Sequence, residues 1–323
     1  MDLSNFFLEG VIRGGSFGQV LLVQNARTKK QFALKEQPFA LEAMDRLQLE
    51  LQVHIRGDPN FILKALAAWD HKGFCYMLFE LTLGDITMLN TPNELQVVSL
   101  VHQLGTALTY LHGCGYIHRK LQLSCVLIDK KYNIKLSDFG HCVKTTDVSD
   151  GIVGSPSFMA PESVLEEIYS EESDWFAFGL VIYYLLTSFE LFSFASVDLA
   201  KQHWENPGTV IDFFKVFSPI WQTYLAKFVV KDISSRQSYD SSLVDLAEHH
   251  PMLLNSGCNI QRLGNLYIRA ARLGHCTRKK MTVKYDHPDL YKFDDVNYQA
   301  ILHERENAIN VPSGMFPLYI PPQ

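Results

Sequence analysis

The sequence of 323 residues predicts an α+β chain that is rich in β-strands at first and mainly helical afterwards. Before Gly84 the apolar segments are short, rich in β-branched and aromatic residues, and separated by polar turns, which is typical of strands. After Gly84 apolar residues recur at intervals of three and four, which indicates helices. The composition, with 47% hydrophobic and 20% charged residues, excludes a disordered, collagen-like or disulfide-scaffold protein.

The β-rich part contains three predicted strands and one predicted helix. Strands at 17–23 and 32–35 flank a polar turn at 25–30, so the two strands are expected to pair as a hairpin. A helical stretch follows at 41–55, and the segment 74–81 is again typical of a strand.

The helical part opens with a capping box. The Thr91 hydroxyl can accept from the Glu94 amide while the Glu94 carboxylate reaches back to the Thr91 amide, and Pro92 suits the first helical position. The apolar residues that follow lie on one face of a helix that runs to His112: Val97, Val101, Leu104, Leu108 and Leu111.

Two short strands and a long apolar segment follow. The strands are expected at 126–128 and 134–136, on either side of a turn. The apolar run at 175–189 is shorter than the ~20 residues that a membrane span needs. We therefore predict a buried helix there and no membrane span.

Charge and cysteine content limit the partners and the compartment. The net charge of -6 supplies no general attraction to nucleic acid, so no nucleic-acid partner is expected. The six cysteines include no C-x-x-C pair, which argues against a zinc site and favours a reducing compartment. The first residues lack the basic segment and apolar core of a signal peptide. We expect a cytoplasmic location, with nuclear access left open.

The last part of the chain, 255–323, differs from the rest in charge. It carries +3, whereas residues 1–254 carry -9. A basic run without acidic residues spans 262–284, and a proline-rich end follows at 312–322. We predict a separate C-terminal extension, first basic and then proline-rich. An acidic partner, RNA, the acidic part of the same chain and plain solvation remain open as the counterpart of the basic run.

A series of short motifs extends from the first hairpin to residue 236. Gly15 and Gly18 flank a glycine-rich turn whose backbone amides suit phosphate groups, Lys35 lies on the returning strand, and Glu50 lies on the next helix. Later motifs follow in order: His118-Arg119, Asp138-Phe139-Gly140, Gly154-Ser155-Pro156, Ala160-Pro161-Glu162, Asp174 and Arg236. Each motif is weak alone, but their order and spacing are specific.

Over roughly residues 6–254 this series resembles the eukaryotic protein kinase family, and the Gly154 to Glu162 passage is more similar to Ser/Thr than to tyrosine kinases. The resemblance implies a bilobal kinase-like fold. The β-rich N-lobe would span about 1–79, the hinge about 80–85, and the mainly helical C-lobe about 86–254. The 255–323 extension would follow.

The resemblance also implies a site for ATP and Mg²⁺. Lys35 would hold the α- and β-phosphates, Glu50 would brace Lys35, and Asp138 would be the metal ligand. The other nucleotide-binding positions would be Gly15 and Gly18 over the phosphates, Val20, Ala33 and Leu127 against the adenine, and Glu80 and Leu81 at the start of the hinge. Phe79 would be the gatekeeper, and His118, Asp174 and Arg236 would be structural.

Four positions depart from the pattern of active kinases. Lys120 stands in place of the aspartate that accepts the substrate proton, and a protonated lysine has no lone pair to offer. That assistance is typically worth ~10²–10⁴ in rate. Cys125 replaces the asparagine that helps to hold a second Mg²⁺, and sulfur is a poor ligand for this ion. Gln122 replaces a lysine of Ser/Thr kinases, and Arg13 replaces the first loop glycine.

These departures lead us to interpret the chain as a pseudokinase that binds ATP and acts as a protein scaffold or allosteric regulator in signalling, with a protein partner. Two alternatives remain open. One is an atypical Ser/Thr kinase of low activity, in which Lys120 itself stabilises developing charge. The other is a nucleotide-free interaction module, which Arg13 favours and which the retained Lys35 and Asp138 disfavour.

Overall fold

The computed structural model describes residues 6–15, 18–38, 44–71, 74–89, 92, 94–147, 151–213, 215–216 and 218–239. The predicted extension 255–323 lies outside these residues, as do Thr91 and Asn93 at the predicted helix start. The described chain falls into two compact units. The first combines the residues up to Gly57 with Lys64–Thr82, and the second combines Asp58–Leu63 with the residues from Leu83 onward.

The first unit is a five-stranded antiparallel sheet with one helix. Its elements are β1 (Phe6–Gly15), β2 (Gly18–Asn25), β3 (Gln31–Pro38), α1 (Met44–Arg56), β4 (Ala65–His71) and β5 (Phe74–Glu80). The strand order is β1-β2-β3-β5-β4. The predicted hairpin, helix and third strand are present, and β1 and β4 are additional to the predicted strands.

The two faces of this sheet have different roles. On β3 the residues Phe32, Leu34 and Glu36 are buried, and they alternate with Ala33 and Lys35 on the opposite face. The first face forms a hydrophobic core that also contains Phe6, Leu21, Val23, Trp69, Tyr76 and Leu78. The second face faces α1, as the contact of His54 with Phe79 shows, with ring centroids 4.8 Å apart.

The second unit is mainly helical. Its strands are short: β6 (Gly84–Asp85), β7 (Tyr116–Ile117), β8 (Val126–Ile128), β9 (Ile134–Leu136) and β10 (Val143–Lys144). Its helices are α2 (Glu94–Gly113), α3 (Pro161–Leu165), α4 (Glu171–Thr187), α5 (Val197–Glu205) and α6 (Pro219–Leu225). Strands β6, β8 and β9 form one small sheet, and β7 and β10 form another.

Helix α4 is the centre of the second unit. It begins at a capping box between Ser170 and Ser173, and its residues from Ser173 to Tyr183 are buried without a break. This confirms the predicted buried helix for 175–187, but the helix ends at Thr187, Ser188 takes the left-handed backbone that terminates it, and Phe189 is exposed rather than buried. None of the described helices is long and apolar enough to cross a membrane.

Candidate functional site

The glycine-rich turn joins β1 to β2. Gly15 and Gly18 are paired across the two strands. Gly18 has a φ of 133°, and a Cβ at this position would collide with the Glu36 carbonyl oxygen. Glycine is therefore required at this position by the backbone itself. Arg13 lies opposite Val20 near the end of the same hairpin.

Lys35 and Glu50 form an ion pair within the first unit. Lys35 Nζ donates to Glu50 Oε1 from β3, and Glu50 lies on α1 with its side chain only 1% exposed. Gln37 Nε2 donates to the other carboxylate oxygen at 3.3 Å, and His54 Nε2 lies 3.9 Å from Oε1. A buried carboxylate needs such partners, because an unpaired buried charge is strongly unfavourable. The predicted brace is thus present.

The predicted adenine contacts of the first unit share the face of Lys35. Val20 is paired with Lys35, and Ala33 is paired with Phe79. Residues that are paired across strands point to the same side of a sheet, so these side chains line one surface. Glu80, at the end of β5, instead forms an exposed ion pair with Lys30 at 2.8 Å. Leu81 follows Glu80 directly and lies one residue before Thr82, where the segment Lys64–Thr82 of the first unit ends.

In the second unit, Asp174 fixes the loop that begins at His118. Its carboxylate accepts from the backbone N–H groups of His118 and Arg119 at 2.7 and 3.0 Å, and it contacts His112 Nε2 at 2.9 Å. His118 is fully buried, and this burial lowers its pKa despite the nearby carboxylates of Asp174 and Asp138. His118 is therefore neutral near pH 7. Its ring Nε2 lies 3.1 Å from the carbonyl oxygen of Ser137.

Lys120 forms an ion pair with Asp138, the residue expected to hold metal. The Lys120 Nζ to Asp138 Oδ2 distance is 3.1 Å, and both side chains are largely shielded, at 19% and 26% exposed. Cys125 Sγ lies 4.0 Å from the same oxygen and donates to the Lys120 carbonyl oxygen at 3.3 Å. In active kinases these three positions carry the proton acceptor and two metal ligands. Here they carry the ammonium of Lys120, the carboxylate of Asp138 and the thiol of Cys125. Leu127 follows on β8, between the buried residues Val126 and Ile128.

This group does not fit Mg²⁺. The ion prefers an octahedral set of oxygen ligands, whereas Asp138 Oδ2 is bonded to an ammonium and its neighbour Cys125 supplies sulfur. Two like unit charges 4 Å apart repel each other by about 4 kcal/mol at an effective dielectric of 20, and a divalent ion doubles this cost. Within the described residues there is also no group of three or more His, Cys, Asp and Glu suited to a metal.

Arg119 is held by the segment that follows Asp138. Its guanidinium lies over the Tyr169 ring at 4.4 Å and donates to the Gly151 carbonyl oxygen at 3.3 Å. The Tyr169 hydroxyl in turn accepts from the Val153 amide and donates to the Val153 carbonyl, at 2.8 and 2.9 Å. These contacts hold Gly151 and Val153 against Arg119 and Tyr169.

Several partners in these networks were not expected from the sequence. Arg236 is buried, as the resemblance implied, and its partner is Glu162, at Nη1–Oε1 2.6 Å and Nη2–Oε2 3.1 Å. His112 was taken only as the helix end, yet it binds Asp174. His54 is four residues from Glu50, and this helical spacing is the signal that identifies it as a neighbour.

Comparison with known proteins agrees with this geometry. The family model described as the protein kinase domain matches residues 8–249. The cGMP-dependent protein kinase of Eimeria tenella is 32% identical over 182 residues, which are 54% of this chain and 18% of that protein. The cAMP-dependent protein kinase catalytic subunit PRKX of Homo sapiens is 27% identical over 204 residues, covering 59% and 56% of the two chains.

The cAMP-dependent protein kinase type 3 of Saccharomyces cerevisiae is 26% identical over 264 residues, covering 77% of this chain and 65% of that protein. The match thus spans less than two thirds of the length of each of these three relatives. Because the family model covers most of the sequence, from β1 to beyond the described residues, the chain belongs to the protein kinase domain family.

Proposed function

We propose that this chain is a pseudokinase, which binds ATP, transfers its γ-phosphate slowly or not at all, and acts in signalling by contacting a protein partner. One observation carries the proposal: the residue at the base position, Lys120, is an ammonium bonded to the Asp138 carboxylate. Kinases use ATP and Mg²⁺, and they need a carboxylate at the first position and a metal ligand at the second.

The loss of transfer follows from the chemistry of Lys120. A substrate hydroxyl must lose its proton as it attacks the γ-phosphate, and an ammonium has no lone pair to accept that proton. Lys120 Nζ also donates to Asp138 Oδ2 at 3.1 Å, so the carboxylate expected to hold a metal ion is already bonded to a cation. Lys120 therefore cannot accept the substrate proton, and Asp138, bonded to the Lys120 ammonium, is a poorer ligand for a metal ion.

ATP binding is supported by what the first unit retains. The Lys35 ammonium is positioned by Glu50, and Glu50 is itself fixed by Gln37 and His54. Such an ordered cation is the usual ligand for nucleotide phosphates. The sheet face beside it carries the half-buried side chains of Val20 and Ala33, which are small or branched apolar groups of the kind that pack against a base.

Phosphate transfer to a generic protein substrate, measured with radioactive ATP, tests the proposal. We expect the natural sequence to transfer phosphate slowly or not at all. The double variant Lys120→Asp/Cys125→Asn should transfer it about 10²-fold faster or more. The matched control is Lys131→Asp/Cys114→Asn, which makes the same two chemical changes at exposed positions. Transfer by the natural sequence that disappears in Asp138→Ala would show an active kinase instead.

The second candidate is a weakly active Ser/Thr kinase. The position of the Lys120 ammonium beside Asp138 favours it, because a fixed cation can stabilise charge that develops on a transferring phosphoryl group. In that case Lys120→Met would lower a measurable transfer rate rather than leave it absent. The relatives named above are kinases by their names, which is compatible with this candidate.

The third candidate, an interaction module that binds no nucleotide, rests on Arg13 at the glycine-rich hairpin. A thermal shift experiment separates it from the other two, because a ligand that binds only the folded state raises the melting temperature. The protein partner, the signalling role and a cytoplasmic location are parts of the proposal that rest on the sequence.

A further inference from the structure

We infer that the Lys120 ammonium takes the place of the divalent cation, so that the chain binds ATP as the metal-free nucleotide. The inference rests on the proposed function, in that it specifies the form in which the proposed ligand is bound. It starts from the misfit between Mg²⁺ and the group formed by Lys120, Asp138 and Cys125.

The ion pair is a fixed feature of the second unit. Asp138 has a left-handed backbone, with a φ of 65°, and it directly precedes Phe139, whose side chain is fully buried. The Lys120 amide donates to His118 Nδ1 at 3.3 Å, and the two residues before Lys120 are bound to Asp174. The backbones of both residues are therefore held by the buried part of the unit, and the Lys120 side chain, at 19% exposed, is largely shielded.

The Lys120 ammonium supplies one positive charge beside Asp138, where a bound Mg²⁺ would supply two. A carboxylate with Mg²⁺ presents one net positive charge to the phosphates, whereas Asp138 with Lys120 is neutral. An ammonium has three N–H donors, and the bond to Asp138 uses one of them. Phosphate oxygens are suitable acceptors for such a point charge.

Cys125 stands at the position that would supply a second protein ligand to the metal ion. Its thiol donates to the Lys120 carbonyl oxygen and lies beside Asp138 Oδ2, so its polar contacts are made within the loop. A thiol offers Mg²⁺ a soft sulfur in place of an amide oxygen. The substitutions at positions 120 and 125 thus act in the same direction, since one supplies a cation and the other withdraws a ligand.

Calorimetric titration of the full chain with ATP, in excess EDTA and then in excess Mg²⁺, tests the inference. We expect the affinity in EDTA to equal or exceed the affinity in Mg²⁺. In Lys120→Asp, which removes the ion pair with Asp138 and adds a carboxylate, we expect Mg²⁺ to strengthen ATP binding by about tenfold or more, a usual size for coupling between two ligands. Lys130→Asp, at an exposed turn of the same unit, is the matched control and should behave as the natural sequence does.

A second readout reports the metal directly. Mn²⁺ added with ATP should give no protein-bound signal in electron paramagnetic resonance with the natural sequence, and such a signal should appear with Lys120→Asp. If that variant does not fold, Lys120→Gln, which removes the charge and keeps a polar side chain, serves in its place.

The outcomes separate this inference from the proposed function. ATP binding that requires Mg²⁺ in the natural sequence overturns the inference and leaves the pseudokinase proposal intact. Binding that stays independent of metal in both Lys120 variants overturns the role assigned to Lys120. An absence of ATP binding in both EDTA and Mg²⁺ overturns the inference together with the nucleotide-binding part of the proposed function.

Discussion

At the level of single residues, the Asp174 carboxylate explains how the loop can change its chemistry and keep its shape. It binds the N–H groups of His118 and Arg119, which directly precede Lys120. The backbone at position 120 is thus fixed by contacts that do not involve its side chain. An aspartate and a lysine can occupy the same place on that backbone, and only the function of the side chain differs.

The buried pair of Arg236 and Glu162 leads to a prediction about stability. The Arg236 side chain is fully buried and bonds both oxygens of Glu162. Arg236→Ala leaves that carboxylate buried without its charge partner, which we expect to cost about 3–5 kcal/mol of unfolding free energy. The midpoint and slope of urea unfolding measure this change.

The exposed pair of Lys30 and Glu80 provides the control, because its side chains are 50% and 63% exposed. Lys30→Ala should cost less than about 1 kcal/mol. Equal effects of Arg236→Ala and Lys30→Ala would mean that burial does not determine the strength of these two pairs.

The sequence predicted residue contacts to different degrees. The pairing of Lys35 with Glu50 was predicted because both positions belong to the motif series. The contact of Lys120 with Asp138 was not predicted, because the two residues are 18 positions apart and their approach depends on how the loop and the following turn fold. Charge alone does not specify a partner at that separation.

At the level of elements, the β1–β2 hairpin leads to a second prediction. Gly18 has a positive φ and would place a Cβ against the backbone of Glu36 and 2.9 Å from the Gln37 Cα. Gly14, on the preceding strand, has no atom within 4 Å of an added Cβ. We expect Gly18→Ala to destabilise the chain by about 1–3 kcal/mol, and Gly14→Ala to stay within about 0.5 kcal/mol of the natural sequence.

Thermal unfolding of the two variants measures this difference. Both substitutions remove the same glycine freedom from the unfolded chain, so the difference between them reports the folded backbone. A Gly18→Ala variant as stable as Gly14→Ala would mean that the hairpin can adopt another turn.

The elements missed from the sequence have irregular patterns. The pairing of β1 with β2 shifts register between Leu8 and Gly10 and again between Val11 and Arg13, so the alternation of period two is interrupted. Strand β4 reads Ala-Leu-Ala-Ala-Trp-Asp-His, and alanine has a low preference for strands. Both strands depend on β2, β3 and β5 to complete the sheet. By contrast, β8 and β9 have the predicted bounds because their apolar residues are flanked by a clear turn.

At the level of the whole chain, the two units are not formed by two continuous stretches of sequence. Asp58–Leu63 belongs to the second unit, although the residues on both sides belong to the first. Backbone bonds explain this: the Leu63 amide donates to the Leu136 carbonyl, and the Leu136 amide donates to the Phe61 carbonyl. Such pairing between distant segments is not visible in the local composition, which had suggested a single boundary at about residue 80.

One buried and two half-buried histidines of the second unit make the stability of the protein depend on pH. Burial lowers the pKa of His102, His118 and His203 below the ordinary value of 6.5. Below that value the unfolded chain takes up protons that the folded chain does not, so the free energy of unfolding falls as the pH falls. Asp232 affects stability in a lower pH range. Hydrogen bonds from Ser235 and Ser234 lower its pKa below 3.8, so its contribution to the free energy of unfolding is lost only in stronger acid.

We therefore expect the melting temperature to decrease between about pH 7 and pH 5, the range in which histidine titrates. Circular dichroism at a series of pH values measures the slope. His102→Gln, which keeps a polar partner for the Tyr239 hydroxyl, should reduce that slope because one titrating group is removed. A melting temperature that stays constant or rises on acidification would show that these histidines are protonated in the folded state, against the burial that the fold imposes on them.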